Sequence, residues 1–328
     1  MEYRTLGHSG LSVSALSLGS WNTFEYMPAP DALRVMTAAV AAGINFLDDA
    51  RYNDTSGKAP LKTGYSEVVF GNLLRAGGFQ RDDLVIANRL WFEFFPTESL
   101  EAEVDGSLSR IGIDHFDLVF CYTVPESLRP ADLVAQLGEL VATGKIRHWG
   151  PANWPVELLT ECCGIALSTG APLPTAAMVP YSLLNRTYVE NEAMQALCRE
   201  HRIALVASFA LQGGLLTGKY NGPQNPMTIR RDAAAIEALR ADGTLAKTAR
   251  FVALARETGH SPTQLALAYC LKHPQIASVL FGATSVAQLE ENLGALQAVS
   301  ALDDDLMARL EAISGRPGAS LGLSASPG

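Results

Sequence analysis

Two adjacent carboxylates, Asp48 and Asp49, directly follow an apolar run in the segment INFLDDARYND at residues 44–54. Tyr52 lies four residues beyond Asp48 and carries a hydroxyl that can exchange a proton. An isolated phenol has a pKa of about 10, so it is a poor acid–base group at neutral pH. A neighbouring cation would favour the phenolate and bring this pKa closer to the working range. The chemistry of the segment therefore depends on which charged groups the fold places beside Tyr52.

Short apolar runs alternate along the chain with longer segments of helical periodicity. We predict eight strands, at residues 14–20, 44–50, 83–89, 116–123, 146–153, 175–181, 203–210 and 276–283. We predict helices between them at residues 31–43, 65–78, 98–112, 130–145 and 189–201. Continuous apolar strands suit a parallel sheet covered by helices, and eight such units indicate an α/β fold of the (β/α)8 TIM-barrel type. The rival doubly wound sheet would need a GxGxxG turn after an early strand, and the sequence has none.

Three segments fall outside the eightfold repeat. Residues 1–13 alternate in polarity around a Ser-Gly turn, which predicts an N-terminal β-hairpin that closes the bottom of the barrel. Residues 221–260 form a long insertion after the seventh strand, with a loop followed by a helix, and further helices are expected near the C-terminus. The Gly-, Ser- and Pro-rich residues 315–328 predict a flexible tail. We therefore expect one barrel domain over residues 1–314.

Composition restricts the possible partners and compartment. The 328 residues carry a formal net charge of −9, and the scattered basic residues argue against a nucleic-acid partner. No apolar run approaches the roughly 18 residues of a membrane span, and the N-terminus lacks a signal-peptide pattern, so a cytoplasmic protein is expected. The five cysteines show no metal-ligand spacing, which argues against a metal site. A small-molecule substrate is the expected partner, with a possible homo-oligomer.

Active sites of TIM barrels lie at the carboxyl ends of the strands. The predicted strand ends carry polar, aromatic and charged side chains: Gly19, Ser20, Trp21, Asp48, Asp49, Asn88, Arg89, Tyr122, Asn153, Tyr181, Ser208, Phe209, Gly282, Ala283 and Thr284. The aromatic residues expected around this mouth are Trp21, Trp91, Phe92, Phe94 and Tyr122. Such a mouth suits a hydrophobic or ring-shaped substrate and favours an enzyme.

The sequence resembles the aldo-keto reductases, and most closely the branch that contains the potassium-channel β subunits and their bacterial relatives. The resemblance is carried, in order, by YRTLGHSGLSVSALSLGSW, GINFLDDA, GKIRHWGPANW, GGLLTGKY and VLFGATSVAQLEENLGAL, across nearly the whole chain. It implies a barrel that holds NADPH in an extended pose across its mouth. It also implies hydride transfer to a carbonyl whose oxygen is protonated by a tyrosine. An aspartate–lysine pair assists that tyrosine, and a histidine usually orients the substrate.

Only one of the four catalytic positions implied by this resemblance is retained. The family aspartate matches Asp48, whereas the tyrosine position holds Asn53, with Tyr52 one residue early. Arg89 stands at the lysine position and Tyr122 at the histidine position. We predict that Asp48 pairs with Arg89, and that Tyr52 or Tyr122 donates the proton.

Structural roles remain open for the same residues. The Asp48–Arg89 pair could serve only to join two strand ends, Tyr122 could fill the mouth, and Tyr52 could face a loop. The insertion at residues 53–64 would allow Tyr52 to turn inward. Asp49 should point to the opposite side of the strand end and serve the structure.

The resemblance also implies a set of cofactor-binding residues: Ser20, Trp21, Asn153, Met178, Ser208, Phe209, Leu211, Gly213, Leu215, Gly218, Lys219, Arg230, Gly282, Thr284, Gln288, Glu291 and Asn292. The adenosine end follows the family, whereas the nicotinamide end departs from it at three positions: Ala152, Met178 and Ser208. Arg230 or Arg231 could bind a 2′-phosphate, because an arginine presents several donors to phosphate oxygens. These cations favour NADPH over NADH.

Three functions follow from this pattern. The first is an NADPH-dependent reductase of a small carbonyl, enone, imine or keto-sugar with a non-standard proton donor. The second is an NADP-binding protein that has lost reductase activity and acts as a regulatory or partner subunit. The third uses bound NADP as a transient redox centre for epimerisation or elimination. The intact adenosine end is compatible with all three, and the aromatic mouth favours the reductase.

Overall fold

The computed structural model describes residues 1–54, 56–222 and 233–315, and a sheet of eight parallel strands lies at its centre. Two short strands precede this sheet: β1 (Tyr3–Thr5) and β2 (Ser12–Ser14). The eight strands are β3 (Leu16–Gly19), β4 (Phe46–Asp48), β5 (Val85–Leu90), β6 (Phe116–Cys121), β7 (Ile146–Pro151), β8 (Ala176–Pro180), β9 (Ala204–Ser208) and β10 (Ile276–Phe281). Their spatial order is β7-β6-β5-β4-β3-β10-β9-β8.

Strands β7 and β8 meet at the two ends of this order and close the barrel. The N–H of Thr175 donates to the carbonyl of Trp149 at 2.8 Å, and the N–H of Asn153 donates to that of Met178 at 2.9 Å. Gly150 permits this approach, because a Cβ on it would lie 1.6 Å from a carbonyl oxygen of β8. The predicted (β/α)8 TIM barrel is confirmed.

Helices fill the connections between the strands, and three more follow the last strand in the described part of the chain. They are α1 (Ala29–Ala41), α2 (Tyr65–Gly77), α3 (Leu100–Ile111), α4 (Pro130–Ala142), α5 (Val156–Thr169), α6 (Glu192–Glu200), α7 (Ala233–Ala241), α8 (Thr244–Glu257), α9 (Pro262–Lys272), α10 (Val286–Leu293), α11 (Ala295–Ala298) and α12 (Asp304–Ser314). The described part of the insertion after the seventh barrel strand, residues 221–222 and 233–260, holds two helices, α7 and α8, where the sequence predicted one. Gly243, with φ of 80°, separates them in a conformation that interrupts a helix.

Side chains alternate between the barrel interior and the helix layer along each strand. The interior cluster contains Leu6, Val13, Phe46, Val85, Ala87, Leu118, Phe120, Ala152, Ala176, Met178, Ala204, Val206 and Ala277. Leu6 and Val13 belong to the antiparallel hairpin of β1 and β2, so the predicted hairpin closes the amino end of the barrel. The same inward register continues to Asp48, Arg89 and Tyr122, which places them at the carboxyl end, where barrel enzymes carry their active sites.

Two expectations lie wholly or mainly outside the described residues: the contact of Arg230 with a 2′-phosphate and the flexibility of residues 315–328. The assignment of residues 1–314 to one domain stays a prediction. Within the described ranges, no helix combines the length and the apolar character needed to cross a membrane.

Candidate active site

Asp48 and Arg89 form an ion pair inside the barrel mouth. The distance from Arg89 Nη2 to Asp48 Oδ2 is 2.7 Å, and the two side chains are 12% and 1% exposed. Burial raises the pKa of Asp48 to about 6, although the charge and hydrogen bond of Arg89 oppose this rise. A guanidinium stays protonated at any accessible pH, so Arg89 provides a fixed positive charge.

Tyr52 lies against this pair. The centre of the Arg89 guanidinium is 5.5 Å from the centroid of the Tyr52 ring, and Tyr52 is only 8% exposed. The hydroxyl oxygen is buried and has no hydrogen-bond partner in the described part of the chain. Burial raises the pKa of Tyr52 well above its usual value, Arg89 lowers it, and Asp48 adds to the increase. The phenol therefore remains protonated at neutral pH.

The turn after β4 decides which of two neighbouring side chains faces inward. Asn53 and Thr63 pair as an antiparallel bridge, and the N–H of Gly64 donates to the carbonyl of Tyr52 at 2.9 Å. This pairing leaves Asn53 exposed, with its amide nitrogen 3.3 Å from a Glu93 oxygen. Tyr52, one residue earlier, turns to the barrel side. The residue at the family tyrosine position thus points outward.

Four aromatic rings lie around Tyr52: two contact it directly, and each of these contacts one further ring. The Trp91 centroid lies 5.8 Å from that of Tyr52 and 4.8 Å from that of Tyr122. On the other side, the Trp21 centroid lies 6.4 Å from that of Tyr52 and 5.4 Å from that of Phe209. The Nε1 atom of Trp91 is buried and has no partner among the described residues. Tyr52 and Tyr122, the two candidate proton donors, are therefore separated by one indole ring.

Phe92 is not placed as the sequence suggested. Phe92 is 4% exposed and packs in the core outside the barrel interior, in a left-handed conformation with φ of 59°. Phe94 is 45% exposed, and the Arg51 guanidinium lies 5.2 Å from its ring centroid. The expectation that Phe92 lines the mouth was wrong, because the chain turns at this residue and directs its side chain to the helix layer.

A buried network that the sequence analysis missed holds the loop after β5. Arg51 Nη1 lies 2.8 Å from Glu98, and Nη2 lies 3.2 Å from Glu103. Glu103 in turn accepts the backbone N–H groups of Trp91 at 2.8 Å and Phe92 at 3.2 Å. The only signal in the sequence was a charged residue directly before Tyr52. This network holds the backbone that carries the Trp91 ring.

Asp49 lies on the opposite side of the strand end, as the alternation of side chains predicts. It accepts a hydrogen bond from the hydroxyl of Ser20. The negative charge of Glu67 also acts on it, and the Glu67 carboxylate accepts a hydrogen bond from the Asn88 amide at 2.9 Å. Burial, with the charge of Glu67, raises the pKa of Asp49 well above its usual value. The Ser20 hydroxyl is therefore engaged within the protein, and so is its backbone: its N–H donates to the carbonyl of Asp48 at 3.0 Å, and its carbonyl accepts the N–H of Thr23 at 2.9 Å.

The predicted nicotinamide end contains a buried acceptor without a partner. Asn153 has φ of 61°, and its Oδ1 atom has no hydrogen-bond partner within the described ranges. Phe209 also adopts a left-handed conformation, with φ of 54°, directly after Ser208. Strained residues of this kind concentrate at functional sites. Met178 is 3% exposed inside the barrel, so little of its side chain can meet a ligand.

The predicted phosphate-binding segment is a 3₁₀ turn at Gln212–Thr217, followed by Gly218 and Lys219. The Lys219 side chain crosses Gly214, since a Cβ on that glycine would lie 2.6 Å from the lysine Nζ. Gly213 is exposed and Leu211 half-buried, whereas Leu215 is fully buried in a separate apolar cluster. Leu215 can thus offer only its backbone to a cofactor.

The predicted adenosine end lies at the start of α10. Both the N–H and the hydroxyl of Thr284 donate to Gln288 Oε1, at 2.9 and 3.0 Å. Gly282 and Glu291 are exposed, and Asn292 is 4% exposed. The exposed N-terminal turn of a helix favours anionic ligand groups.

These residues fit a nicotinamide dinucleotide. The unpartnered Asn153 oxygen suits an amide donor such as the nicotinamide carboxamide, and the Lys219 ammonium suits a phosphate. The fold also places the buried Tyr52 phenol beside the fixed Arg89 cation at the carboxyl ends of the strands, where barrel enzymes carry their active sites.

Residues 15–314 match the sequence model of the Aldo/keto reductase family, and the chain belongs to this family. It is 30% identical over 326 residues to a "probable voltage-gated potassium channel subunit beta" of Oryza sativa subsp. japonica, covering 95% of this chain and 96% of that relative. It is also 30% identical over 311 residues to the "L-glyceraldehyde 3-phosphate reductase" of Escherichia coli (strain K12), covering 90% and 88%. The family resemblance is confirmed, and NAD(P)-dependent oxidoreduction of carbonyl compounds is supported.

Proposed function

We propose that this protein is an NADPH-dependent reductase of small carbonyl compounds, with Tyr52 as the proton donor. The observation that carries the proposal is the buried, unpartnered hydroxyl of Tyr52 beside Arg89. The hydroxyl is protonated at neutral pH, and the Arg89 charge opposes the rise in its pKa that burial causes, which favours release of the proton to a substrate. Enones, imines and keto-sugars remain substrate candidates of the same reaction type.

A bound reduced nicotinamide supplies the hydride that reduces the carbonyl carbon. The Tyr52 hydroxyl gives its proton to the carbonyl oxygen, and the Arg89 charge stabilises the tyrosinate that remains. Asp48 holds the guanidinium in place through its 2.7 Å contact. Because Arg89 keeps its proton, the tyrosinate regains a proton from water and not from this side chain.

Replacing Tyr52 and Tyr122 separately tests the proton donor. Tyr52→Phe removes the hydroxyl and retains the ring, and loss of a general acid typically lowers kcat by roughly 10²–10⁴-fold. We expect this loss for Tyr52→Phe with benzaldehyde as the probe substrate, at unchanged NADPH affinity. Tyr122→Phe is the matched control and should lose less activity. An inactive Tyr122→Phe beside an active Tyr52→Phe would reassign the donor.

The choice of NADPH over NADH rests on Lys219 and on the arginines of the insertion at residues 221–260. Fluorescence titration should show at least a roughly tenfold tighter Kd for NADPH, about 1.4 kcal/mol. Equal affinities would rule out recognition of the 2′-phosphate.

A second candidate is a cofactor-binding partner subunit without turnover. The named relatives include channel β subunits, and Asn53, Arg89 and Tyr122 replace three residues of the family's catalytic set. NADPH binding without oxidation by any carbonyl compound in a broad panel would favour this function. NADP-dependent epimerisation or elimination would instead show substrate conversion without net NADPH consumption.

We also propose a cytoplasmic location. All five cysteines are buried free thiols, as is common in reducing compartments. Cell fractionation tests the location, limited proteolysis tests the single domain at residues 1–314, and light scattering tests a homo-oligomer.

A further inference from the structure

We propose that the indole N–H of Trp91 is a second hydrogen-bond donor to the carbonyl oxygen of the substrate, beside the hydroxyl of Tyr52. This inference rests on the reductase function proposed above. It assigns to Trp91 the substrate-orienting contact for which this chain lacks the family's histidine. Trp91 keeps its proton throughout, and Tyr52 alone transfers one.

The first observation is an unpartnered donor. The Nε1 atom of Trp91 is buried and finds no hydrogen-bond acceptor in the described ranges. Two other buried indoles of this chain are satisfied: Trp149 donates to the carbonyl of Pro172 at 2.9 Å, and Trp154 to that of Tyr122 at 2.6 Å. A buried indole N–H normally finds an acceptor, so the unmet donor of Trp91 requires a functional reason.

The second observation is that other unpartnered polar atoms lie at the same end of the barrel as this donor. Buried side-chain atoms without a partner include Asp48 Oδ1, Tyr52 Oη and Arg89 Nε at the same end of the barrel. The Trp91 ring meets the Tyr52 ring edge-on, at 67° and with centroids 5.8 Å apart. Two neutral donors on adjacent rings can thus serve one oxygen, which has two lone pairs to accept them.

The third observation is that Trp91 is held by its backbone. Glu103 accepts the backbone N–H of Trp91 at 2.8 Å, and Arg51 lies 3.2 Å from the same carboxylate. The ring also packs on Tyr122, with centroids 4.8 Å apart. The side-chain N–H has no part in holding the residue and is available to a ligand. A preorganised donor of this kind stabilises charge that develops on an oxygen.

Access to this donor pair requires a ring to move. The Tyr52 and Trp91 donor atoms are both shielded from solvent. Trp21 contacts Tyr52 and is 38% exposed, so it lies on the solvent side of Tyr52.

Trp91→Phe tests the proposal, because it removes the N–H and keeps an aromatic ring. With benzaldehyde, we expect kcat to fall roughly 10- to 100-fold, near the lower range for loss of one preorganised donor. KM, the Kd for NADPH and the Tm should change little. Trp91→His restores a ring N–H and should recover part of kcat. Trp149→Phe is the matched control: it removes an indole N–H that donates to the carbonyl of Pro172 outside the site, so it should lower the Tm and leave kcat within a few-fold of the wild type.

The outcomes separate this proposal from the function on which it rests. A wild-type kcat in Trp91→Phe, with Tyr52→Phe inactive, would overturn the second donor and leave the reductase intact. If kcat falls in Trp91→Phe, is not recovered in Trp91→His, and the Tm is also lower, Trp91 contributes only packing and the proposal is wrong. A wild-type protein that oxidises NADPH with no carbonyl compound would refute the reductase itself.

Discussion

Neutralising Asp48 should make the protein more stable at neutral and alkaline pH, although the residue is paired with Arg89. Burial raises the pKa of Asp48 from 3.8 to about 6 in spite of the guanidinium. The stabilisation from binding this proton is complete below pH 3.8 and disappears as the pH rises through about 6. A shift of about two units corresponds to about 3 kcal/mol. Asp48→Asn resembles the protonated acid and avoids this loss.

Denaturation by urea at several pH values measures the effect. We expect Asp48→Asn to exceed the wild type in free energy of unfolding by up to about 3 kcal/mol at pH 8, and to match it near pH 4. Other titrating groups largely cancel, because the comparison is a difference between two proteins. Asp117→Asn is the matched control: this aspartate is 1% exposed and pairs with both Arg81 and Arg147 at 2.8 Å. Its replacement should destabilise the protein, because both of its oxygens are paired and one also accepts the backbone N–H of Ile86 at 2.8 Å, whereas Asp48 Oδ1 has no partner among the described residues.

The gain in stability should come with a loss of activity. Without the carboxylate, Arg89 is held only by a neutral amide, so its position beside Tyr52 is less well defined. Destabilising charges of this kind are typical of active sites, where stability and function conflict. An Asp48→Asn variant that is less stable than the wild type at pH 8 would show that attraction to Arg89 exceeds the cost of burial. The pKa of Asp48 would then lie below 3.8.

Two further pairs of variants test the packing around the site. Gly71 and Gly164 both lie inside helices, but a Cβ on Gly71 would lie 2.0 Å from the last carbonyl oxygen of α3, whereas Gly164 has open space. We expect Gly71→Ala to lower the free energy of unfolding by roughly 1–3 kcal/mol and Gly164→Ala to raise it by up to about 1 kcal/mol, both measured by urea denaturation. Arg51→Met should lower kcat by releasing the Trp91 loop, whereas Arg81→Met, at the other end of the barrel, should lower the Tm alone. Equal kcat values for the two arginine variants would contradict a positioning role for Arg51.

Much of the architecture could be predicted because barrel strands have a local signature. Each strand is a short apolar run between helical segments, so all eight were identified, with ends displaced by a few residues. The first prediction merged two elements: Ser14 belongs to the hairpin strand β2, and β3 begins at Leu16. The sequence could not separate them, because only Ala15 lies between the two strands and no turn residue marks the boundary.

The sequence alone determined the strand-end positions of Asp48 and Arg89, because side chains alternate with a period of two and both follow apolar strands. Only the tertiary structure decided which neighbour of Asn53 faces the barrel, since the bridge between Asn53 and Thr63 sets the turn. It also decided the burial of Arg51 beside Glu98, 47 residues away. Strand periodicity is a property of the local backbone. A buried ion pair or an unpartnered indole depends on distant segments that meet only when the barrel closes.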